Sequence, residues 1–178
     1  MRKTKVKLVI ALKVIKKISW AMRGSEGGVI MSKEHLVWLK SYLEENYNKS
    51  ILENFLDPQI VEVKEGKVIY EMKIIDRHCN IYGYIHGGTL ASIADVVMGV
   101  SCATLGKRIV TTDLSISYIK NVNAGSTITA VGEVVSDGEN IMRCACKIFD
   151  EHEKLLVQAQ ASYFVIGSFD DVNLARVK

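Results

Sequence analysis

The stretch Thr89-Leu-Ala-Ser-Ile-Ala-Asp-Val-Val-Met-Gly-Val-Ser-Cys-Ala-Thr-Leu105 is apolar on nearly every side and rich in small residues. A helix of this composition is buried on most of its faces, because a surface helix keeps a polar side toward water. Four strand-like runs follow, separated by short turns: residues 109–119, 126–135, 141–149 and 155–166. The sequence therefore predicts an α+β fold, in which a curved antiparallel sheet wraps around a central helix of about residues 88–105.

Two further elements are predicted before this helix. Ser32 is a suitable N-cap for a helix over residues 32–46, where apolar side chains recur at helical spacing. The apolar or alternating runs 60–63 and 67–75 flank Glu65 and Gly66, which predicts a hairpin. Because consecutive strands with short connections usually pair with one another, we expect the later strands to form an antiparallel meander.

The composition indicates one compact domain with an unusual N-terminus. The 178 residues are 48% hydrophobic and 24% charged, which excludes a disordered chain. Residues 1–30 hold eight Lys or Arg and a single acid, Glu26, whereas residues 31–178 hold 15 basic and 19 acidic side chains. The body is thus mildly acidic, and the basic pI gives no reason to expect nucleic acid as a partner.

The basic N-terminal extension, residues 1–30, does not read as a membrane span. Its longest uncharged apolar run, Leu8 to Leu12, is far shorter than the roughly 20 residues that a span needs. The codons for Glu26-Gly27-Gly28 can spell a bacterial ribosome-binding site, so we hypothesise that the extension is translated leader and that Met31 starts the protein. The alternative is a genuine anchor or interaction arm. We expect residues 31–178 to form a single domain.

The cysteines favour a reducing compartment. Four of them occur in the chain, and none belongs to a CxxC pair. A disulfide scaffold is not expected in a chain of this length. We therefore expect free thiols, no metal site and a cytoplasmic protein.

The chemistry is concentrated where the central helix begins. His86-Gly87-Gly88 precede it, and the first N–H groups of a helix have no partner within the helix. These donors lie at the positive end of the helix dipole and suit a developing oxyanion. Asp95 follows inside an otherwise apolar helix, where an unpaired carboxylate is costly, so we interpret it as a general base or a nucleophile.

The spacing of these residues predicts a dimer. Gly87 and Asp95 are eight residues apart, so about 12 Å of helix rise separates them. One small reacting group cannot touch both on the same helix. If both act on one substrate, two antiparallel helices must meet at a two-fold axis, and each site takes one of the residues from each chain.

The pattern N-x-x-G-x-x-H-G-G, with an acid eight residues after the first glycine of HGG, resembles the hotdog-fold thioesterases of the PaaI type. Here it is carried by Asn80, Gly83, His86, Gly87, Gly88 and Asp95. The later Thr111-Thr-Asp-Leu-Ser-Ile-Ser-Tyr-Ile119 resembles the strand that follows the helix in these enzymes, and the resemblance covers about residues 32–166.

The resemblance implies hydrolysis of an aryl-, short- or medium-chain acyl-CoA, without a metal or organic cofactor, in a homodimer that forms a homotetramer. The Gly87 N–H would polarise the thioester carbonyl, and Asp95 would activate water or attack directly. Asn80 and His86 would position these groups. Gly88, Thr111 and Tyr82 are the expected substrate-binding residues, with Tyr82 at the acyl group.

Structural roles compete with several of these assignments. Asn80 can simply cap a turn, and Thr111 can be an ordinary strand residue. Relatives often carry Arg or Lys in the turn before the penultimate strand, where this chain has none. The CoA phosphates would then need other basic residues: Lys107, Arg108, Lys120 or Arg143. The alternative functions are an acyl-CoA sensor without turnover and a hotdog hydratase or dehydratase.

Overall fold

A computed structural model describes residues 33–169 of the protein. Three α-helices and six strands follow one another as α1 (Lys33–Asn46), α2 (Leu52–Leu56), β1 (Gln59–Lys64), β2 (Lys67–Lys73), α3 (Gly87–Ala103), β3 (Lys107–Tyr118), β4 (Thr127–Asp137), β5 (Ile141–Asp150) and β6 (Leu155–Ser168). The predicted α+β class, with a sheet around a central helix, is confirmed. The N-terminal extension, the proposed start at Met31 and the Ser32 cap lie outside the described residues.

The strand order corrects one prediction. All six strands form one antiparallel sheet in the order β1-β2-β4-β5-β6-β3. The meander is right for β4, β5 and β6, but wrong for β3, which pairs with β6 at the far edge. The reason is α3, whose 17 residues extend about 25 Å and carry the chain across the sheet before β3 begins.

Helix α3 fills the concave side of the sheet. Its side chains at 93, 94, 97, 98 and 102 are fully buried, and the helix packs against β2 to β6. Because the sheet surrounds α3, the helix needs apolar residues on nearly every side, as its sequence predicts. Helix α1 covers the far end of α3, where Leu39 and Leu43 pack with Ala103.

The described residues include three α-helices and all four cysteines. None of the helices within residues 33–169 is long and apolar enough to cross a bilayer. All four cysteines are free thiols, and three of them are buried in the core.

Candidate active site

His86 caps the start of α3. Its φ of −69° and ψ of 137° are extended, and its Nδ1 accepts a 2.8 Å hydrogen bond from the Gly88 N–H. A Cβ on residue 88 would lie 3.0 Å from that same Nδ1, so the glycine lets the imidazole reach the backbone. Within the described residues the Gly87 N–H donates no hydrogen bond, and it remains open to a ligand.

Tyr118 supports Gly87 from the end of β3. Its hydroxyl donates to the Gly87 carbonyl at 3.1 Å, and its ring lies 3.5 Å from where a Gly87 Cβ would stand. The sequence did not single out this tyrosine, because only the course of β3 beside α3 brings it to the glycine 31 residues earlier.

Asn80 organises the loop before the helix. Its Oδ1 accepts hydrogen bonds from the N–H groups of Tyr82 (2.9 Å) and Tyr84 (3.3 Å), and Gly83 completes the turn with a φ of +80°. The amide oxygen therefore caps a turn, which is the structural role that competed with catalysis. Tyr82 is 77% exposed in the single chain, and its expected contact with an acyl group stays a prediction.

Asp95 is half-buried on α3 and is held by two hydroxyl groups. Thr111 donates to its Oδ1 at 3.1 Å and to its Oδ2 at 3.3 Å. Tyr163 donates to Oδ1 at 3.0 Å and to the backbone carbonyl of Asp95 at 3.2 Å. These donors offset the cost of a carboxylate in an apolar helix.

Thr111 and Tyr163 reach Asp95 together because they are paired neighbours on β3 and β6. Thr111 was predicted to belong to the site, whereas Tyr163 was not. The tyrosine is 68 residues from Asp95, and it lies in a strand-like run in which apolar and polar residues alternate. Nothing in that pattern distinguishes Tyr163 from its neighbours. Burial, and after it the charge of Asp95, raises the pKa of Tyr163, so its hydroxyl stays a donor.

A bulge in β3 keeps a second carboxylate away from this site. Thr111 pairs with Tyr163 and Asp113 with Ser162, so Thr112 is an extra residue, and its hydroxyl bonds the Ser162 carbonyl at 2.9 Å. Strict alternation would place Asp113 on the same side as Thr111. The bulge turns it to the outer face of the sheet, as bulges near functional sites often do.

Of the basic residues considered for the CoA phosphates, Lys107 and Arg108 lie on β3, Arg143 lies on β5, and Lys120 follows the end of β3. Lys107 Nζ is 3.9 Å from a carboxylate oxygen of Asp137, and Arg143 is exposed with Nη1 3.5 Å from the Ser162 hydroxyl. A contact between any of them and CoA stays a prediction. Within residues 33–169, no three His, Cys, Asp or Glu side chains are grouped so that they could hold a metal.

The candidate residues therefore form two separate groups along one helix, which we call half-sites. His86, Gly87 and Tyr118 gather at the start of α3, whereas Thr111 and Tyr163 surround Asp95 about two turns later. In a single chain, the open N–H and the carboxylate are too far apart to act on the same small group.

Comparisons with known proteins find similarity to thioesterases. A sequence profile described as the thioesterase superfamily matches residues 82–157, which include Asp95 and the start of α3. Human acyl-coenzyme A thioesterase 13 is 32% identical over 84 residues, which are 46% of this chain and 60% of that protein. The E. coli PaaI protein has the same fold, with a TM-score of 0.69, 23% identity and coverage of 77% of this chain and 98% of its own.

A hypothetical thioesterase protein from Streptococcus pneumoniae, solved with coenzyme A, is 28% identical to this chain, with a TM-score of 0.61. The match covers 62% of this chain and 90% of that one. Variants of that protein were solved at an aspartate and at a threonine 16 residues apart, the spacing between Asp95 and Thr111. The sheet is wrapped around α3 and the thioesterase superfamily profile matches residues 82–157, from the loop before α3 into β6, so the protein has the fold of the hotdog thioesterases.

Proposed function

We propose that the protein hydrolyses acyl-CoA thioesters to a free acid and CoA. The observation that carries this proposal is Asp95, a carboxylate on the central helix whose oxygens are held by two hydroxyl groups. Support comes from the human relative, an acyl-CoA thioesterase, and from the pneumococcal relative, which binds CoA.

The proposed chemistry divides between the two half-sites. The Gly87 N–H, at the positive end of the α3 dipole, polarises the thioester carbonyl and stabilises its oxyanion. Asp95 either takes a proton from an attacking water or attacks the carbonyl carbon itself. In the first route the C–S bond breaks as the water oxygen adds, and Asp95 passes the proton it has taken to the CoA thiolate, so that the acid and CoA are released. In the second route the C–S bond breaks to leave a mixed anhydride on Asp95 and a CoA thiolate, and a water molecule then hydrolyses the anhydride, which releases the acid, restores Asp95 and supplies the proton for CoA. His86 and Asn80 position the loop around the carbonyl.

We further propose that two chains complete each site. Strand β3 is 12 residues long and lies at an edge of the sheet, so its outer backbone groups have no strand partner among residues 33–169. A long open edge of this kind is usually covered. Thr111 beside Asp95 and Tyr118 beside Gly87 both lie on β3, so antiparallel pairing of two β3 strands brings the half-sites of different chains together.

The larger assembly and the compartment are part of the same proposal. We expect two such dimers to associate into a homotetramer. A cytoplasmic location is supported by the four free thiols. Aryl, short-chain and medium-chain acyl groups all remain candidate substrates, with Tyr82 at the acyl group.

Thiol release tests the function. Phenylacetyl-, benzoyl-, short-chain and medium-chain acyl-CoAs are offered to the wild type, to Asp95→Asn and to Asp113→Asn. We expect Asp95→Asn to lose about 10²–10⁴-fold in turnover, because general base catalysis contributes that much. Asp113→Asn is the matched control, since its carboxylate faces away from the site two residues after Thr111. We expect it to match the wild type.

Two outcomes contradict the proposal. A wild type that binds acyl-CoA without releasing thiol is a sensor, and Asp95 is then a structural carboxylate. A wild type that hydrates enoyl-CoA, seen as a change in enoyl absorbance, is a hydratase.

A further inference from the structure

We propose that Tyr163 is a positioning residue that fixes the orientation of Asp95 by occupying Oδ1, which leaves Oδ2 to face the reacting water or thioester. This inference rests on the function proposed above. It assigns a role to a fully buried side chain that the proposed mechanism does not otherwise use.

The Tyr163 hydroxyl contacts two oxygen atoms of Asp95. It lies 3.0 Å from Oδ1 and 3.2 Å from the backbone carbonyl oxygen of the same aspartate. The single hydroxyl proton is shared between these two acceptors, with the shorter contact to Oδ1, so the hydroxyl holds Oδ1 close to the helix backbone and restricts rotation about the side-chain bonds. The tyrosine is itself held, because its ring is 0% exposed within the core.

The two carboxylate oxygens are unequally occupied. Oδ1 receives Tyr163 at 3.0 Å and Thr111 at 3.1 Å, whereas Oδ2 receives only the longer 3.3 Å contact that Thr111 shares between both oxygens. Lone pairs on Oδ2 thus remain available. This asymmetry depends on Tyr163, since Thr111 alone contacts both oxygens almost equally.

The surroundings keep the tyrosine a donor over the working pH range. Burial, followed by the charge of Asp95, raises its pKa. The other titratable groups that act on it are the thiols of Cys102 on α3 and Cys144 on β5. The hydrogen bond with Cys102, together with burial, raises the pKa of Cys144, so that thiol is neutral near the site. Asp95 is the anion that the hydroxyl faces.

Tyr163→Phe removes the hydroxyl and keeps the ring. We expect kcat to fall about 10- to 100-fold, because the lost hydrogen bond is made to a charged group, while KM stays within about twofold.

Tyr70→Phe is the matched control. Tyr70 is also 0% exposed, and its hydroxyl lies 3.0 Å from that of Tyr47, so the variant loses one buried hydrogen bond without touching Asp95. We expect a comparable drop in melting temperature for both variants, with kcat unchanged in Tyr70→Phe. A fall in kcat without a change in KM, seen in Tyr163→Phe alone, then separates positioning from general stability.

The proposal is overturned if Tyr163→Phe, folded by circular dichroism, keeps the kcat of an active wild type. Absence of thiol release in the wild type overturns the proposed function instead. Should Tyr163→Phe not fold, a crystal structure of the wild type with a bound acyl-CoA decides. The tyrosine hydroxyl within 3.5 Å of Oδ1, and Oδ2 facing the thioester, support the proposal; a displaced hydroxyl overturns it.

Discussion

Gly87 acts in the proposed reaction through its backbone N–H. The local geometry allows a substitution by proline, which has no backbone N–H. The glycine is the first residue of α3, a position where proline is favoured because the missing N–H has no partner within the helix. His86 before it has a ψ of 137°, which is the extended conformation that a proline requires of its predecessor.

We expect Gly87→Pro to fold and to lose about 10²–10³-fold in turnover, the usual cost of one oxyanion donor. Gly87→Ala is the control, because it keeps the N–H and its Cβ would make an ordinary 3.5 Å contact with the Tyr118 ring. Thiol release and melting temperature are measured for both. A Gly87→Pro variant with wild-type turnover would show that this N–H does not bind the oxyanion.

At this scale the sequence predicts residues that share one stretch, but not those that arrive from distant strands. The loop and helix from Asn80 to Asp95 are contiguous, so helix geometry alone relates their functional groups. Tyr118 and Tyr163 depend on which strand lies beside α3 and in which register. Alternation in a strand indicates only which side chains share a face, not which partner they meet.

Strand β4 packs closely on the central helix at Gly132, where there is no room for a Cβ. A Cβ there would lie 2.5 Å from the Val97 carbonyl oxygen and 2.9 Å from the Ser101 hydroxyl. Backbone atoms cannot yield as a flexible side chain can. The glycine therefore determines how closely the sheet wraps around α3.

We expect Gly132→Ala to lower the free energy of unfolding by about 1–3 kcal/mol, as overpacking of a core typically does. We expect Gly99→Ala on α3 to raise the free energy of unfolding instead. Its Cβ would make an ordinary 3.6 Å contact with Ile109, and alanine in a helix interior is favoured over glycine by about 0.5–1 kcal/mol. Urea unfolding of both variants measures the difference. Equal stabilities would contradict the close packing of β4 on α3.

Element positions follow from the sequence better than element pairing does. The predicted helix of about residues 88–105 and the strand runs match α3 and β1 to β6 within a few residues. The partner of β3 could not be predicted, since the last strand returns beside it only after two hairpins. Short connections constrain neighbouring strands, whereas a pair formed across α3 depends on the whole sheet.

On the scale of the whole molecule, the single chain presents two incomplete half-sites and an open edge strand. The unpaired Gly87 N–H and the carboxylate of Asp95 are about 12 Å apart along α3. Strand β3 passes both of them and offers 12 residues for pairing. Dimerisation through β3 accounts for the edge and for the separation of the half-sites.

The most direct test of a site built from two chains is thiol release by mixed assemblies of Asp95→Asn and Gly87→Pro. The two variants are co-produced with different tags, and the assemblies are purified through both tags. Each mixed dimer would hold one site with both intact groups and one site with neither. We therefore predict turnover well above that of either parent variant, up to half of the wild-type value in assemblies made only of mixed dimers. Each parent variant alone serves as the control. Mixed assemblies no more active than either parent would contradict a site built from two chains.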